Sequence, residues 1–449
     1  MDENIFLYQR KFFIKLQKKA DKLIVGLLPS ILAACGSKLV EGPPLINEIP
    51  GTMYTDILRG TNYDDQIYGY AGNDQLFGFD GNDELIPGLG NDRVYGGNGA
   101  DTIYIEDIAQ ILDGGEGKDT LVVMGRLQIQ PLKIDLNSGV LQNISSSFFE
   151  GSTILKNIDN VNASNVKVVE VVASDVANII ETGPGTDTVS NIGLNDEIRT
   201  NAGNDYLFLS DLPKLVDGGS GIDQLLLMEN SIDKIEIILD LNAPNSREIQ
   251  NIEVFDLSEA TEVTFTGSDN NETIITGTGN DMINGKGGLD IVTTGSGSDT
   301  ILIERDQNNP VNITDFEVGI GGDKLKISNH FFSTKDNLEL SFIDTQLVGK
   351  KTLNLESELA IFITAGGYNN VEELHLSLNS QNGIINSNSN SETLGFVGVW
   401  YNNQSDWSQV SLVSKSNETS NIFENVVNLA ILQNVGQEEL NLLSEFNFI

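Results

Sequence analysis

Asp56, Asp65, Asp74, Asp83, Asp92 and Asp101 stand nine residues apart, and an aliphatic side chain follows each by two: Leu58, Ile67, Leu76, Leu85, Val94 and Ile103. Position 110 is Gln, yet Leu112 keeps the aliphatic slot, and Asp119 with Leu121 restores both features. The register returns at Asp187, Asp196, Asp205 and Asp223, and again at Asp281, Asp290 and Asp299. Glycines surround these carboxylates, as Gly96, Gly97 and Gly99 do before Asp101. They admit positive φ and close backbone approach, so successive carbonyls can turn towards one spot. Carboxylate and carbonyl oxygens delivered at a fixed interval are the chemistry of a hard cation, which takes roughly six to eight oxygens at about 2.3–2.6 Å. Calcium suits such a ligand set better than magnesium, which demands a stricter octahedron and keeps its water.

The period also dictates what must carry these ligands. The aliphatic residue with its two neighbours makes a strand of about three residues, its middle side chain inward and its neighbours outward. A tight turn at each Asp then brings the chain back. Two nonapeptides close one coil, and coils stack roughly 4.7–4.9 Å apart as two parallel sheets. Asp56, Asp74 and Asp92 fall on one edge, and Asp65, Asp83, Asp101 and Asp119 on the other. Larger self-similarity relates Leu112–Asp119 to Val216–Asp223, as expected for duplicated blocks. Ordinary surface turns also favour Asn, Asp and Gly, but they do not enforce a nine-residue period. An EF-hand is disfavoured because no glutamate closes a twelve-residue loop between helices.

These units resemble the repeats-in-toxin (RTX) nonapeptide GGxGxDxUx, in which U is a large aliphatic. The resemblance implies an all-β fold: a calcium-filled parallel β-roll, a right-handed solenoid that folds on meeting external calcium, in proteins commonly exported by type I machinery. Carried over residue by residue, it assigns several calcium ions to Asp74, Asp83, Asp92, Asp101, Asp119, Asp187, Asp205, Asp223, Asp281, Asp290 and Asp299. With them it assigns Gly72, Gly81, Gly90, Gly99, Gly117, Gly185, Gly203, Gly221, Gly279 and Gly297. Tyr54, Tyr63 and Leu194 replace the glycine two before Asp56, Asp65 and Asp196, which sets those three aside. Gln110 and Lys214 bring no carboxylate, and Lys214 is expected to stand in for an ion as an internal cation. Ile313-Thr314-Asp315-Phe316 and the glycines up to Asp323 resemble the segment that closes the last roll, with Asp323 a terminal ligand or a cap.

The chain divides accordingly: an export segment at 1–34, a linker at 35–50, roll blocks at 51–123, 177–228 and 271–327, β-rich spacers at 124–176 and 229–270, and a C-terminal β-domain at 328–449. A basic start, a short apolar run and Leu32-Ala33-Ala34-Cys35 resemble a lipoprotein signal, with Cys35 the acylated residue. The acidic end, Glu445-Phe446-Asn447-Phe448-Ile449, instead resembles a type I secretion signal. Both place the protein outside the cytoplasm, in the medium or on a bacterial outer surface. A net charge of −39 argues against nucleic acid and anionic membranes as partners, leaving a lipid anchor as the one membrane attachment. Two histidines, His330 and His375, and one cysteine leave little for nucleophilic or zinc chemistry. Trp400, Tyr401 and Trp407 offer either core packing or a sugar platform. The reading is a non-catalytic surface protein, adhesive or S-layer-like, with self or other surface components as partners; the alternative is a secreted carbohydrate- or lipid-active enzyme with its site in 328–449.

Overall fold

The computed structural model describes residues 46–144 (except 130), 152–239 (except 230), 248–304, 310–327 (except 320), 339–344, 358–368, 395–415 (except 403 and 406), 423–436 and 439–442. The proposed signal at 1–34, Cys35, both histidines and the terminal acidic segment lie outside them. The described chain is all-β, a parallel β-roll whose only helical elements are 3-10 turns at Gly125–Ile129 and Glu439–Leu442.

Each nonapeptide turns its period into burial. In Thr102–Ile105 and Thr120–Val123 the side chains alternate between half-buried and buried, as a strand with one face on a core requires. Parallel ladders then join each strand to the one 18 residues on. One sheet aligns Gln66, Glu84, Thr102 and Thr120, and the other aligns Ile57, Gln75, Arg93 and Ile111. Ile67, Leu85, Ile103 and Leu121 from the first share one core with Leu76, Val94 and Leu112 from the second, all at 0% exposure. One aliphatic from each sheet per coil, joined by Ile105, Ala109 and Val123, therefore makes up the buried hydrophobic core of the first block among the described residues.

The ladders do not stop where the repeat lapses. Thr120–Val123 pairs with Asn160–Asn162, which pairs with Ile179–Glu181 and so on to Glu248–Gln250. The intervening residues make one oversized coil. Ser152–Lys156 lies parallel to Ile111–Glu116, Val140–Asn143 and Leu132–Asp135 follow antiparallel, and Leu132–Asp135 then runs parallel to Val169–Val172. From there the same sheet continues through Thr188–Ile192, Tyr206–Leu209, Gln224–Leu227, Val254–Asp256, Thr273–Ile275 and Ile291–Thr293. A further parallel sheet opens at Lys234–Ile238 and runs through Glu262–Thr266, Met282–Asn284 and Thr300–Ile303 to Lys324–Ile327. Phe255 and Phe265 fill the wider core there, ring centroids 4.9 Å apart and edge-on.

The C-terminal end of the long sheet is covered. Gly395–Asn402, Trp407–Lys415 and Phe423–Leu432 form an antiparallel meander, and Phe423–Leu432 pairs parallel with Val311–Ile313. Asn434 Nδ2 donates to the Phe316 carbonyl at 3.0 Å, and Phe316 is buried. Trp400 is 1% exposed and its Nε1 donates to Ser411 Oγ at 3.0 Å, so this ring is core and not a sugar platform.

Truncating one member of the aliphatic column leaves a cavity that neighbouring coils cannot fill. Ile103→Ala is expected to cost about 2–5 kcal/mol in urea unfolding of the calcium-loaded chain. Thr102→Ala on the outer face should stay within about 0.5 kcal/mol of the parent.

Candidate metal centres along the roll edges

The turns that join the sheets are built on glycines in the left-handed region. Gly72, Gly81, Gly90, Gly99 and Gly117 have φ between 121° and 144°, and Gly203, Gly221, Gly279 and Gly297 between 129° and 153°. Gly185 does not share this conformation. The reason for glycine is contact as well as φ. A Cβ on Gly90 would lie 1.6 Å from the Gly72 carbonyl oxygen, and one on Gly221 1.5 Å from that of Gly203. Glycine therefore stacks on glycine from coil to coil, in contact with the aligned carbonyl oxygen.

The aspartates stand in columns on both edges, each 0–2% exposed apart from the half-buried Asp56. One carboxylate oxygen accepts the backbone N–H of the residue one coil earlier. Asp56 N donates to Asp74 Oδ1, Asp65 N to Asp83, Asp74 N to Asp92, Asp83 N to Asp101 and Asp101 N to Asp119, all at 2.7–2.8 Å. Asp187, Asp205 and Asp281 donate likewise to Asp205, Asp223 and Asp299. The other oxygen is left over. Oδ2 of Asp74, Asp83, Asp101, Asp119, Asp205, Asp223, Asp281, Asp290 and Asp299 is buried with no hydrogen-bond partner. That is nine of the eleven aspartates singled out in the sequence. Asp92 has the same burial and Oδ1 contact, whereas Asp187 Oδ2 accepts the Gly183 N–H at 3.1 Å.

A second set of glycines, five before the aspartate, lines the space in front of the free oxygen. A Cβ on Gly96 would meet Asp101 Oδ2 at 2.2 Å and the Gly114 carbonyl oxygen at 2.3 Å. On Gly78 it would meet Asp83 Oδ2 at 2.2 Å and the Gly96 oxygen at 2.5 Å, and on Gly69, Asp74 Oδ2 at 2.7 Å and the Pro87 oxygen at 2.3 Å. The duplicated segments end alike: Gly114 and Gly218 face the carbonyls of Asn157 and Asn251, each Asn at positive φ. Each cradle thus offers a carboxylate oxygen and a carbonyl oxygen from the adjacent coil. Among the described residues no three acidic, His or Cys side chains converge on one point, so carbonyls must complete any coordination shell. An unpartnered buried carboxylate beside backbone carbonyls fits calcium, whose charge offsets the desolvation of the anion.

Positions set aside in the sequence have other partners. Thr52 donates through N–H and Oγ1 to Asp56 Oδ2, and Thr61 does the same to Asp65. Asp196 Oδ2 accepts the Gly193 N–H at 2.7 Å. Asp323 has both oxygens engaged, by Asp299 N and Glu317 N, which makes it a cap on the last coil. Lys214 is not the internal cation expected: its side chain is 65% exposed and pairs with Glu197 on the outer face. A lysine stem reaches water easily, and keeping its charge there avoids burying it. Glu272 escapes a period followed through aspartate alone; it occupies the aspartate position, 2% exposed, with its N–H on Asp290 Oδ1. Gly288 (φ 89°) stands two before Asp290 and belongs with the turn glycines, though it is not among those assigned above; the glycine five before a carboxylate is the first of the nonapeptide, and its part in clearing the space before Oδ2 shows only in the fold.

Burial dominates the electrostatics of the columns. It pushes Asp83, Asp92, Asp187, Asp205, Asp223 and Asp290 up to about 6 and Asp101 and Glu272 to about 7. The N–H bonds to Oδ1 pull the other way, and for Asp83, Asp101, Asp205 and Asp223 the carboxylate one coil earlier adds to the rise.

Comparison with protein families finds four copies of the RTX calcium-binding nonapeptide repeat, at residues 50–85, 77–104, 193–211 and 266–301. No curated protein matches the chain. The chain thus carries RTX repeats, which bind calcium ions and are typical of secreted proteins.

Without metal, carboxyls whose folded pKa of about 6–7 exceeds the unfolded value of roughly 3.9 favour folding while protonated. That contribution is fully present below about pH 4 and is lost as pH rises through 6–7. EGTA-treated protein is expected to hold more β-structure at pH 5 than at pH 8 by far-UV circular dichroism, with calcium reversing the order. Equal metal-free spectra at both pH values would contradict this electrostatic account.

Proposed function

Proceeding from the RTX repeats it carries, we propose that this chain is an extracellular or cell-surface protein that folds on binding several calcium ions and serves as a non-catalytic structural or adhesive component. The observation that carries the reading is the row of nine buried Oδ2 atoms without partners, each belonging to a carboxylate that also anchors the preceding coil. The ligands are the edge aspartates, with carbonyls of neighbouring turns. Bound calcium supplies the positive charge that lets these anions remain buried at neutral pH.

Calcium here is a folding ligand. The core of the first block is thin, about one aliphatic from each sheet per coil, and the coils carry a large share of a net charge of −39. Neither supports a compact state without counter-charge. An extracellular calcium concentration fills sites of about 10⁻⁴–10⁻³ M, the range of extracellular modules. The outer faces of the parallel sheets are regular and carry stacked aromatic and charged side chains, as Phe77 on Tyr95 at 5.1 Å with Arg59 over the Phe77 ring, suited to presentation on a surface or to association with neighbouring molecules. Attachment through Cys35 or association with other surface components fits the reading; among the described residues no helix is long and apolar enough to cross a membrane.

Far-UV circular dichroism in EGTA at neutral pH is expected to show a largely disordered chain, and millimolar calcium a β-rich one. Identical spectra in the two conditions would overturn the proposal.

A further inference from the structure

The residue five before the carboxylate is not always glycine. It is glycine before Asp74, Asp83, Asp101, Asp119, Asp223 and Asp290, but Thr182 precedes Asp187, Thr200 precedes Asp205, Thr276 precedes Asp281 and Thr294 precedes Asp299. All four threonines are 0–2% exposed, and each lies against its aspartate's carboxyl. A threonine places a Cβ, a methyl and a hydroxyl in the space that the glycine coils leave open. Thr200 Oγ1 donates to the Gly218 carbonyl at 2.9 Å, Thr276 Oγ1 to the Thr294 carbonyl at 2.8 Å, and Thr182 Oγ1 to the Thr200 carbonyl at 3.3 Å. These are the aligned carbonyls, one coil on, that face the carboxylate in a glycine coil.

We propose that, where the next residue brings no hydroxyl to the carboxylate, this position decides which coils take an ion: the glycine coils of Asp74, Asp83, Asp101, Asp119, Asp223 and Asp290 hold calcium, and in the Thr182, Thr200, Thr276 and Thr294 coils the buried threonine side chain takes the ion's place. The inference rests on the calcium reading above and narrows it. Asp205, Asp281 and Asp299 keep an unpartnered Oδ2, so a free oxygen does not by itself separate the two kinds of coil. The threonine side chain does: a hydroxyl has one proton, which Thr200 and Thr276 spend on the aligned carbonyl and Thr294 on Asp315 Oδ1. The methyl group then occupies ligand space. Ser and Thr one position later satisfy the carboxylate in a related way, Thr52 and Thr61 capping Asp56 and Asp65 and Ser268 capping Glu272. Hydroxyl side chains thus recur where a coil is held without metal.

The count of bound ions reads this out on the full-length protein, by equilibrium dialysis against calcium followed by elemental analysis, with circular dichroism confirming the fold. Gly96→Thr is expected to bind about one ion fewer per chain than the parent and Thr200→Gly about one more. Gly285→Thr and Thr276→Gly repeat the pair in the third block, so that a position whose variant does not fold leaves the other to decide. An unchanged count in folded Gly→Thr chains, or no gain in the Thr→Gly chains, overturns the assignment. A parent chain that binds no calcium overturns instead the reading on which it rests.

Discussion

The roll depends on a row of buried carboxylates, nine of which do two things at once. Through Oδ1 each accepts the N–H of the coil before it, as Asp101 does for Asp83 and Asp223 for Asp205, and so helps to set the 18-residue register. Through Oδ2 each presents charge to a space with no donor in it. Replacing the carboxylate by an apolar group would orphan an N–H, and leaving it uncompensated would bury an anion. The geometry that makes the fold regular also makes it need a cation or a substitute. The aliphatic column is thin, and the positive-φ glycines leave turns with no side-chain packing of their own.

Where no ion is required, the chain supplies other solutions at the same position. Thr52 and Thr61 engage the first two carboxylates, Asp323 closes the last coil through Asp299 N and Glu317 N, and Asp315 accepts the N–H groups of Thr294 and Gly295. The ends of the described roll are thus satisfied by protein groups. The meander from Gly395 to Leu432 completes the closure by pairing with Val311–Ile313, which covers a sheet edge that would otherwise offer free N–H and C=O groups.

Much of this is legible in the sequence because two features, Asp and an aliphatic two residues later, share one period that only a coiled strand–turn unit explains. The edge assignment of Asp56, Asp74 and Asp92 against Asp65, Asp83, Asp101 and Asp119 follows from that period and is seen in the ladders. The spacers are harder to read. Alternation in Leu132–Asp135 says strand, but nothing local says that this strand pairs antiparallel with one neighbour and parallel with Val169–Val172, because that is set by partners far along the chain. Lys214 departs from expectation because a gap in a column of anions invites a cation, while the free energy favours a solvated ammonium. The glycine five before a carboxylate stands in the pattern, but its role stays hidden because that role is to leave room, and room is visible only once the facing carboxylate and carbonyl are in place.

The N–H to Oδ1 bond points one way along the chain: a residue in one coil is satisfied by a carboxylate about 18 positions later, as Asp65 is by Asp83. A coil is therefore incomplete until its successor exists. For a chain threaded amino-terminus first through any narrow passage, this is a look-ahead condition, under which the emerging segment always trails one unfinished turn. The first coil can close only after the second has emerged, and the last only after Asp323. Ordering is then paced by the arrival of downstream residues, and the roll has a temporal grain as well as a spatial one.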